Sequence, residues 1–180
     1  MKLMIASDIH GSAYYCKKLF YAYQKEKPDK LLLLGDLLYH GPRNDLPKDY
    51  NPKEVISILN SISSEILCVR GNCEAEVDQI VLDFPVLSDS CILYLDGHMV
   101  FATHGHIYSP DNPPKLKEGD ILLNGHTHIP AWDQKENFLY LNPGSVSIPK
   151  NDSHHGYMIW ENHEISWKTF DHTVYHKIML

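Results

Sequence analysis

The sequence predicts a single α/β domain, with two sheets packed face to face and helices on the outside. Three observations predict it. The first half alternates short apolar runs with segments of helical periodicity, the pattern of parallel βαβ units. After Pro85 the texture changes to a series of short apolar runs separated by turn residues. The length of 180 residues suits one domain that can bury a core without disulfides.

Each element follows from local chemistry. Leu3 to Ala6 is an apolar run too short for a helix and suited to a buried strand. Ser12 to Glu26 places Leu19, Phe20 and Tyr23 at helical spacing, with Ser12 as N-cap and Pro28 closing the segment. Lys30 to Leu34 reads as a second buried strand. Tyr39 to Pro52, rich in Pro, Asn and Asp, reads as a loop. Lys53 to Ser63 returns to helix, with Val55, Ile56, Leu59 and Ile62 on one face, and Ile66 to Val69 is a third strand. Further strands are expected at Ile92–Leu95, Met99–Thr103, Ile121–Leu123, Phe138–Leu141, Tyr157–Trp160 and Ile165–Thr169. Asp96-Gly97 is a hairpin signal, and Tyr108 to Gly119, with three prolines, reads as a surface loop. No linker, low-complexity tract or repeat interrupts the chain, so residues 1–180 are read as one domain.

Composition narrows the function. Sixteen Lys and Arg against twenty-three Asp and Glu give a net charge of −7, which argues against nonspecific binding to nucleic acid or an anionic membrane. The N-terminal apolar run is cut off by Asp8 and His10, and no window approaches the ~18 apolar residues of a membrane span. The expected address is cytoplasmic. The four cysteines form no C-x-x-C pair, so they are expected as reduced, mostly buried thiols. Twelve histidines, more than twice the five phenylalanines, are the compositional outlier.

Polar clusters fall where the expected strands end: Asp8-Ile9-His10-Gly11, Gly35-Asp36, Gly71-Asn72-Cys73-Glu74, Thr103-His104-Gly105-His106 and Gly125-His126-Thr127-His128. Buried parallel strands project their C-terminal loops to one edge, where α/β folds gather ligand sites. Glycines there let the backbone turn tightly. Asp8 and His10, and likewise His126 and His128, are two apart and would share a side if strand geometry persisted. The Asp-x-His, Gly-Asp and Gly-Asn clusters are weak signals alone and the two histidine clusters are stronger, because adjacent imidazoles suit metals, but it is the five together that point to metal. Mixed His, Asp and Asn ligands suit Mn, Fe or Zn, and no thiolate is required.

Asp8-x-His10, Gly35-Asp36, Gly71-Asn72, His104-Gly105 and Gly125-His126-x-His128, in this order, resemble the motif set of the calcineurin-like metallophosphoesterases. Ala6 to Gly11, His40 to Asn44, Arg70 to Cys73 and Asn142 to Ser147 are similar to the family's branch of small bacterial and archaeal phosphodiesterases. The resemblance spans nearly the whole chain. It implies a four-layer αββα sandwich, with two mixed sheets flanked by helices. It also implies two divalent cations, Mn first, with Fe, Zn, Ni or Co as alternatives. One would be held by Asp8, His10 and His128, the other by Asn72, His104 and His126, with Asp36 bridging. Asp36, Asn72 and His104 are accordingly the candidate catalytic residues. The implied reaction is hydrolysis of a small phosphodiester by a hydroxide, held between the metals, that attacks phosphorus in line. Two dications would outweigh Asp8 and Asp36, so an acidic chain can still attract a phosphate ester.

For substrate binding, the likeness of its loop makes Arg43 the candidate phosphate clamp, since guanidinium grips phosphate oxygens bidentately, with Asn44 assisting. His106 and His40 lie beside the motifs and could line the pocket. His98, His154, His155, His163, His172 and His176 match no motif and are read as surface residues. The Asn142-Pro143-Gly144 turn is expected to shape the site's rim. Cys73 is the departure: many family members carry a histidine there, and a thiol is a poorer proton donor at neutral pH than imidazolium. The expectation is therefore either activity best suited to activated leaving groups or an acid recruited from elsewhere in the site.

The competing reading is a non-catalytic scaffold of the same fold, like the retromer sorting subunit. Such scaffolds tend to lose a ligand histidine, whereas all seven ligand positions are filled here. A nuclease is disfavoured by size, acidic charge and the lack of a basic groove, so no nucleic-acid or membrane partner is expected. Tyr14, Tyr15 and Tyr23 on the first helix leave core packing and a homo-oligomer surface both open.

Overall fold

The computed structural model describes residues 1–180. The first half builds three parallel strands with helices between them. These are β1 (Leu3–Ala6), α1 (Ala13–Glu26), β2 (Lys30–Leu33), α2 (Pro52–Asn60) and β3 (Ile66–Cys68), with a 3-10 turn at Ser63–Glu65 before β3. Ser12 caps α1, its side chain accepting the Tyr15 N–H, and Lys27 closes the helix in the left-handed region. The second helix begins at Pro52, not at Lys53, because Asn51 caps it and proline suits a helix's first position. It stops at Asn60.

The second half supplies β4 (Ser90–Leu95), β5 (His98–Thr103), β6 (Asp120–Leu123), β7 (Pro130–Gln134), β8 (Phe138–Pro143), β9 (Gly156–Glu161), β10 (Glu164–Thr169) and β11 (Val174–Met179). Asp96 and Gly97, both at positive φ, make the expected tight hairpin turn between β4 and β5. Three elements are not anticipated from the sequence: α3 (Glu76–Val81), β7 and β11. The two strands lie at sheet edges and are only partly buried, and α3 exposes Val77 and Ile80. None offers a clean periodic signal.

The strands form two mixed sheets, β11-β10-β9-β1-β2-β3 and β4-β5-β6-β8-β7. Alternation along each strand divides the core. Met4, Ala6, Leu31, Leu33, Tyr157 and Ile159 turn toward the face that α1 and α2 cover. Leu3, Ile5, Leu32, Met158 and Trp160 turn the other way, against Val100, Ile121, Leu123 and Leu141 of the second sheet. This is the predicted pair of face-to-face sheets with helices outside. The helices are few, and Leu116 of the 108–119 loop packs on the outer face of the second sheet. Tyr15 and Tyr23 pack against the helix-side core, which answers the open question for those two residues. Cys16 and Cys68 are buried, Cys73 and Cys91 half-buried, and all four are free thiols.

The parallel strands β1, β2 and β3 of one sheet, and β5 and β6 of the other, end at the same edge of the sandwich. Trp167 helps hold that edge together. Its indole N–H donates to the Asn142 carbonyl, and the Asn142 amide donates to Gly125 O, joining β10 and β8 to the loop after β6.

Candidate metal centre

The strand-end loops bring Asp8, His10, Asp36, Asn72, His104, His126 and His128 to one place. Asp8, His10 and His128 form one group of candidate ligand atoms, and Asp36, His104 and His126 form a second, each within 4.8 Å. Asn72 joins the second group through Oδ1, 3.2 Å from His104 Nε2.

The backbone does this by leaving strand geometry. The first strand ends at Ala6, and Asp8 and His10 both lie beyond it at positive φ, 61° and 49°. Asp36, His126 and His128 are likewise left-handed. The expectation that strand alternation pairs Asp8 with His10, and His126 with His128, is therefore wrong in its reason. Left-handed turns after the strands pair them. Such conformations cost non-glycine residues on the order of 1 kcal/mol each and persist where surroundings over-determine them. Here they do: Asp8 N–H donates to Gly35 O at 3.1 Å and His10 N–H to Asp36 O at 2.8 Å. Ser145 and Ser147 hydroxyls both donate to the Asp8 carbonyl, at 2.9 and 3.1 Å. These serines are buried, so the segment after Asn142 underpins the site from below instead of forming its rim.

The donor chemistry fits cations. His10, His104 and His128 each spend Nδ1–H on a backbone carbonyl, of Tyr39, Leu34 and Ile148 respectively. A carbonyl only accepts, so these nitrogens carry a proton, which leaves Nε2 of each ring facing inward as the atom that would meet a cation. The Nε2 atoms of His10 and His128 stand 3.2 Å apart. Asp8 Oδ1 lies 3.1 Å from His128 Nε2 and has no hydrogen-bond partner, while Asp8 Oδ2 accepts the His126 N–H. In the second group His126 Nδ1 lies 3.1 Å from His104 Nε2. Asp36 Oδ2 sits between the groups, 3.7 Å from His10 Nε2 and 3.4 Å from His104 Nε2. So many converging lone pairs need positive charge.

Ionisation tells the same story. Burial pushes the Asp8 carboxyl up, but the His10 and His128 imidazoles beside it, with His104, outweigh that and hold the group well below the usual range. Burial opposes protonation of His104, yet the Asp36 carboxylate raises it to about 9. Burial and the neighbouring His104 charge lower His126 to about 4. The pocket takes up positive charge but not two protons side by side.

A cavity of about 450 Å³ opens over Asp36, His126 and His128. Arg43, Asn44, Cys73, Thr127 and Lys150 are among the residues that line it. Arg43 is exposed, while Asn44 also braces its loop by donating to His40 O at 2.8 Å. Cys73 Sγ lies within reach of His10 and Asp36, but burial and the carboxylates of Asp36 and Glu74 push its thiol well up and keep it protonated. His106 is not part of the cavity wall. Gly105, at φ 118°, turns the chain outward, and the His106 ring packs 5.4 Å from that of His104. His40 is also outside, its ring between Tyr39 and Tyr50.

Most histidines without a motif prove structural. His155 stacks on Tyr15 and His176 on Trp132, and His98 Nδ1 donates to Gly119 O. Sequence patterning also misses Lys150 and the buried Glu74. The one available signal for Glu74 is an acid three residues after a strand-end glycine.

Residues 1–164 match the calcineurin-like phosphoesterase superfamily domain. The chain is 42% identical over 166 residues to the phosphodiesterase YfcE of Escherichia coli (strain K12), covering 92% of this chain and 90% of that one. A solved structure of YfcE, described as a phosphoesterase from E. coli, superposes with a TM-score of 0.96 at 39% identity, covering 99% of both chains. Vps29 of Entamoeba histolytica in complex with zinc aligns with a TM-score of 0.65 at 19% identity, covering 99% of both chains, a likeness of fold.

Proposed function

The chain belongs to the calcineurin-like phosphoesterase superfamily, and on that premise we propose that it hydrolyses small phosphodiesters at a centre of two divalent cations. In this reading Asp8, His10 and His128 would hold one cation, Asn72, His104 and His126 the other, and Asp36 would be shared between the two. The observation that carries it is the position of Asp36 Oδ2, 3.7 Å from His10 Nε2 and 3.4 Å from His104 Nε2. When bound, two such ions neutralise phosphate charge and acidify water at neutral pH. Manganese is the proposed metal, with Fe, Zn, Ni and Co compatible with a nitrogen and oxygen donor set.

The chain's own residues supply positioning. Arg43 grips the non-bridging oxygens from the cavity mouth and orients phosphorus toward the ligand groups. Asn44 holds the Arg43 loop in shape through His40 O. The only imidazoles on the cavity wall are His126 and His128, both assigned as ligands, so no side-chain imidazolium is left for the leaving group. Leaving groups that depart without a proton are therefore favoured.

The 42% identity to YfcE supports a phosphodiesterase over a binding scaffold. The test is an assay of metal-stripped protein, with Mn, Ni, Zn or Mg restored singly, on generic phosphodiester and phosphomonoester substrates. Diester turnover with restored Mn is expected. Metal binding with no turnover of either substrate would favour the scaffold reading instead.

A further inference from the structure

Glu74 lies behind the site and does not line the cavity, yet it is only 4% exposed and its carboxylate accepts three backbone N–H groups. Oε1 accepts from Leu37 at 2.7 Å, and Oε2 accepts from Asp36 at 2.9 Å and from Gly71 at 2.5 Å. These donors belong to two loops, the one after β2 that carries Asp36 and the one after β3 that carries Asn72. Asp36 reciprocates, its Oδ1 accepting the Cys73 N–H at 2.9 Å. Each carboxylate is thus held by the other's loop. Gly71 lets them meet: a Cβ there would collide with Asp36 Oδ1 and Glu74 Oε2.

The consequence falls on Asp36. With Oδ1 committed to Cys73 and its backbone held at φ 56°, Asp36 has only Oδ2 to turn toward His10 and His104. We infer that Glu74 is a positioning residue that fixes the bridging carboxylate of Asp36 and sets the second cation site against the first. This rests on the two-cation reading above. Charge-assisted bonds from a buried carboxylate to three N–H groups are strong enough to define one loop geometry. The first group, Asp8, His10 and His128, also touches the β2 loop through Gly35 O, Asp36 O and Tyr39 O, but none of its three residues bonds Glu74, and His128 is held separately by Ile148 O.

The test is Glu74→Gln, which keeps shape but must turn an NH2 donor toward at least one backbone N–H donor. Metal-stripped wild-type and variant protein are titrated with Mn2+, with folding checked by circular dichroism and the ions followed by calorimetry and electron paramagnetic resonance. Wild type is expected to bind two ions and give the exchange-coupled spectrum of a bridged pair. E74Q is expected to keep one ion, bind the second at least about tenfold more weakly, show the spectrum of isolated Mn2+ and lose kcat with little change in KM. Glu74→Asp keeps acceptor-only chemistry and is expected to restore part of the coupled signal.

Wild-type affinity for both ions and a wild-type coupled spectrum in E74Q would overturn the inference while leaving the two-cation reading intact. Failure of wild type itself to bind a second ion would overturn both. If E74Q is recovered only as aggregate, E74D decides: a weakened second site supports the inference, and a site equal to wild type overturns it.

Discussion

His10 and His128 face each other through their Nε2 atoms at 3.2 Å, each donating its Nδ1–H to a backbone carbonyl. They come from loops 118 residues apart, and their inward nitrogens beside the Asp8 carboxylate form a donor set suited to a cation. That relationship is the sharpest link between the fold and its chemistry, and it frames what substitution at the site should do.

His128→Ala removes one side of the first ligand group. Loss of outer supports to a metal costs ~10–100-fold, so loss of a direct ligand should lower kcat/KM by at least about 100-fold. Bound Mn should fall from two ions to one by elemental analysis. Wild-type metal content and activity would remove His128 from the ligand set.

Arg43→Ala should leave the fold unchanged, because the side chain is exposed on a loop. Losing a charge-assisted clamp worth roughly 1.5–3 kcal/mol should lower kcat/KM by about 10- to 100-fold. Arg43→Lys should recover little, since ammonium cannot make the paired contact. A steady-state comparison of the three proteins on one diester decides it.

Cys73→His places an imidazole on the cavity wall next to Asn72. The expected result is a rate gain on alkyl phosphodiesters, whose leaving groups need a proton, and little gain on nitrophenyl diesters. Equal rates for both proteins on alkyl substrates would count against the account of leaving-group preference.

Glu26 makes a prediction away from the site. Burial pushes its carboxyl up, but Lys168 and Lys2, with the Tyr157 hydroxyl, outweigh that and hold it at about 2 against an ordinary 4.5. A carboxyl lowered on folding stabilises the protein fully above pH 4.5, and the contribution fades as pH falls toward 2. Glu26→Gln should therefore cost on the order of 1–2 kcal/mol at pH 7, after allowance for solvent screening. The gap between variant and wild type in chemical denaturation should close as the buffer is taken below pH 4.5. A gap that is constant from pH 7 to pH 3 would show that the ion pairs do not act through charge.

Much of this was legible in the primary structure because the physics is local. Short apolar runs such as Leu3–Ala6 and Lys30–Leu33 can only be buried strands, and Ser12 caps a helix wherever an amphipathic segment follows. Edge strands escape because half-exposed residues carry no period: Val174–Met179 alternates too weakly to announce itself. His106 misleads because adjacency to His104 says nothing about direction once Gly105 redirects the chain.

The order of residues sets polar clusters after the strands, and the family resemblance of those clusters singles out the seven side chains that converge. How they converge is a property of the folded chain. Left-handed turns orient Asp8, His10, Asp36, His126 and His128, backbone carbonyls from distant loops select the nitrogen each His10, His104 and His128 ring turns inward, and the buried carboxylate of Glu74 locks Asp36. These are long-range contacts to backbone atoms, and backbone atoms are the same at every residue, so no pattern of side chains records them.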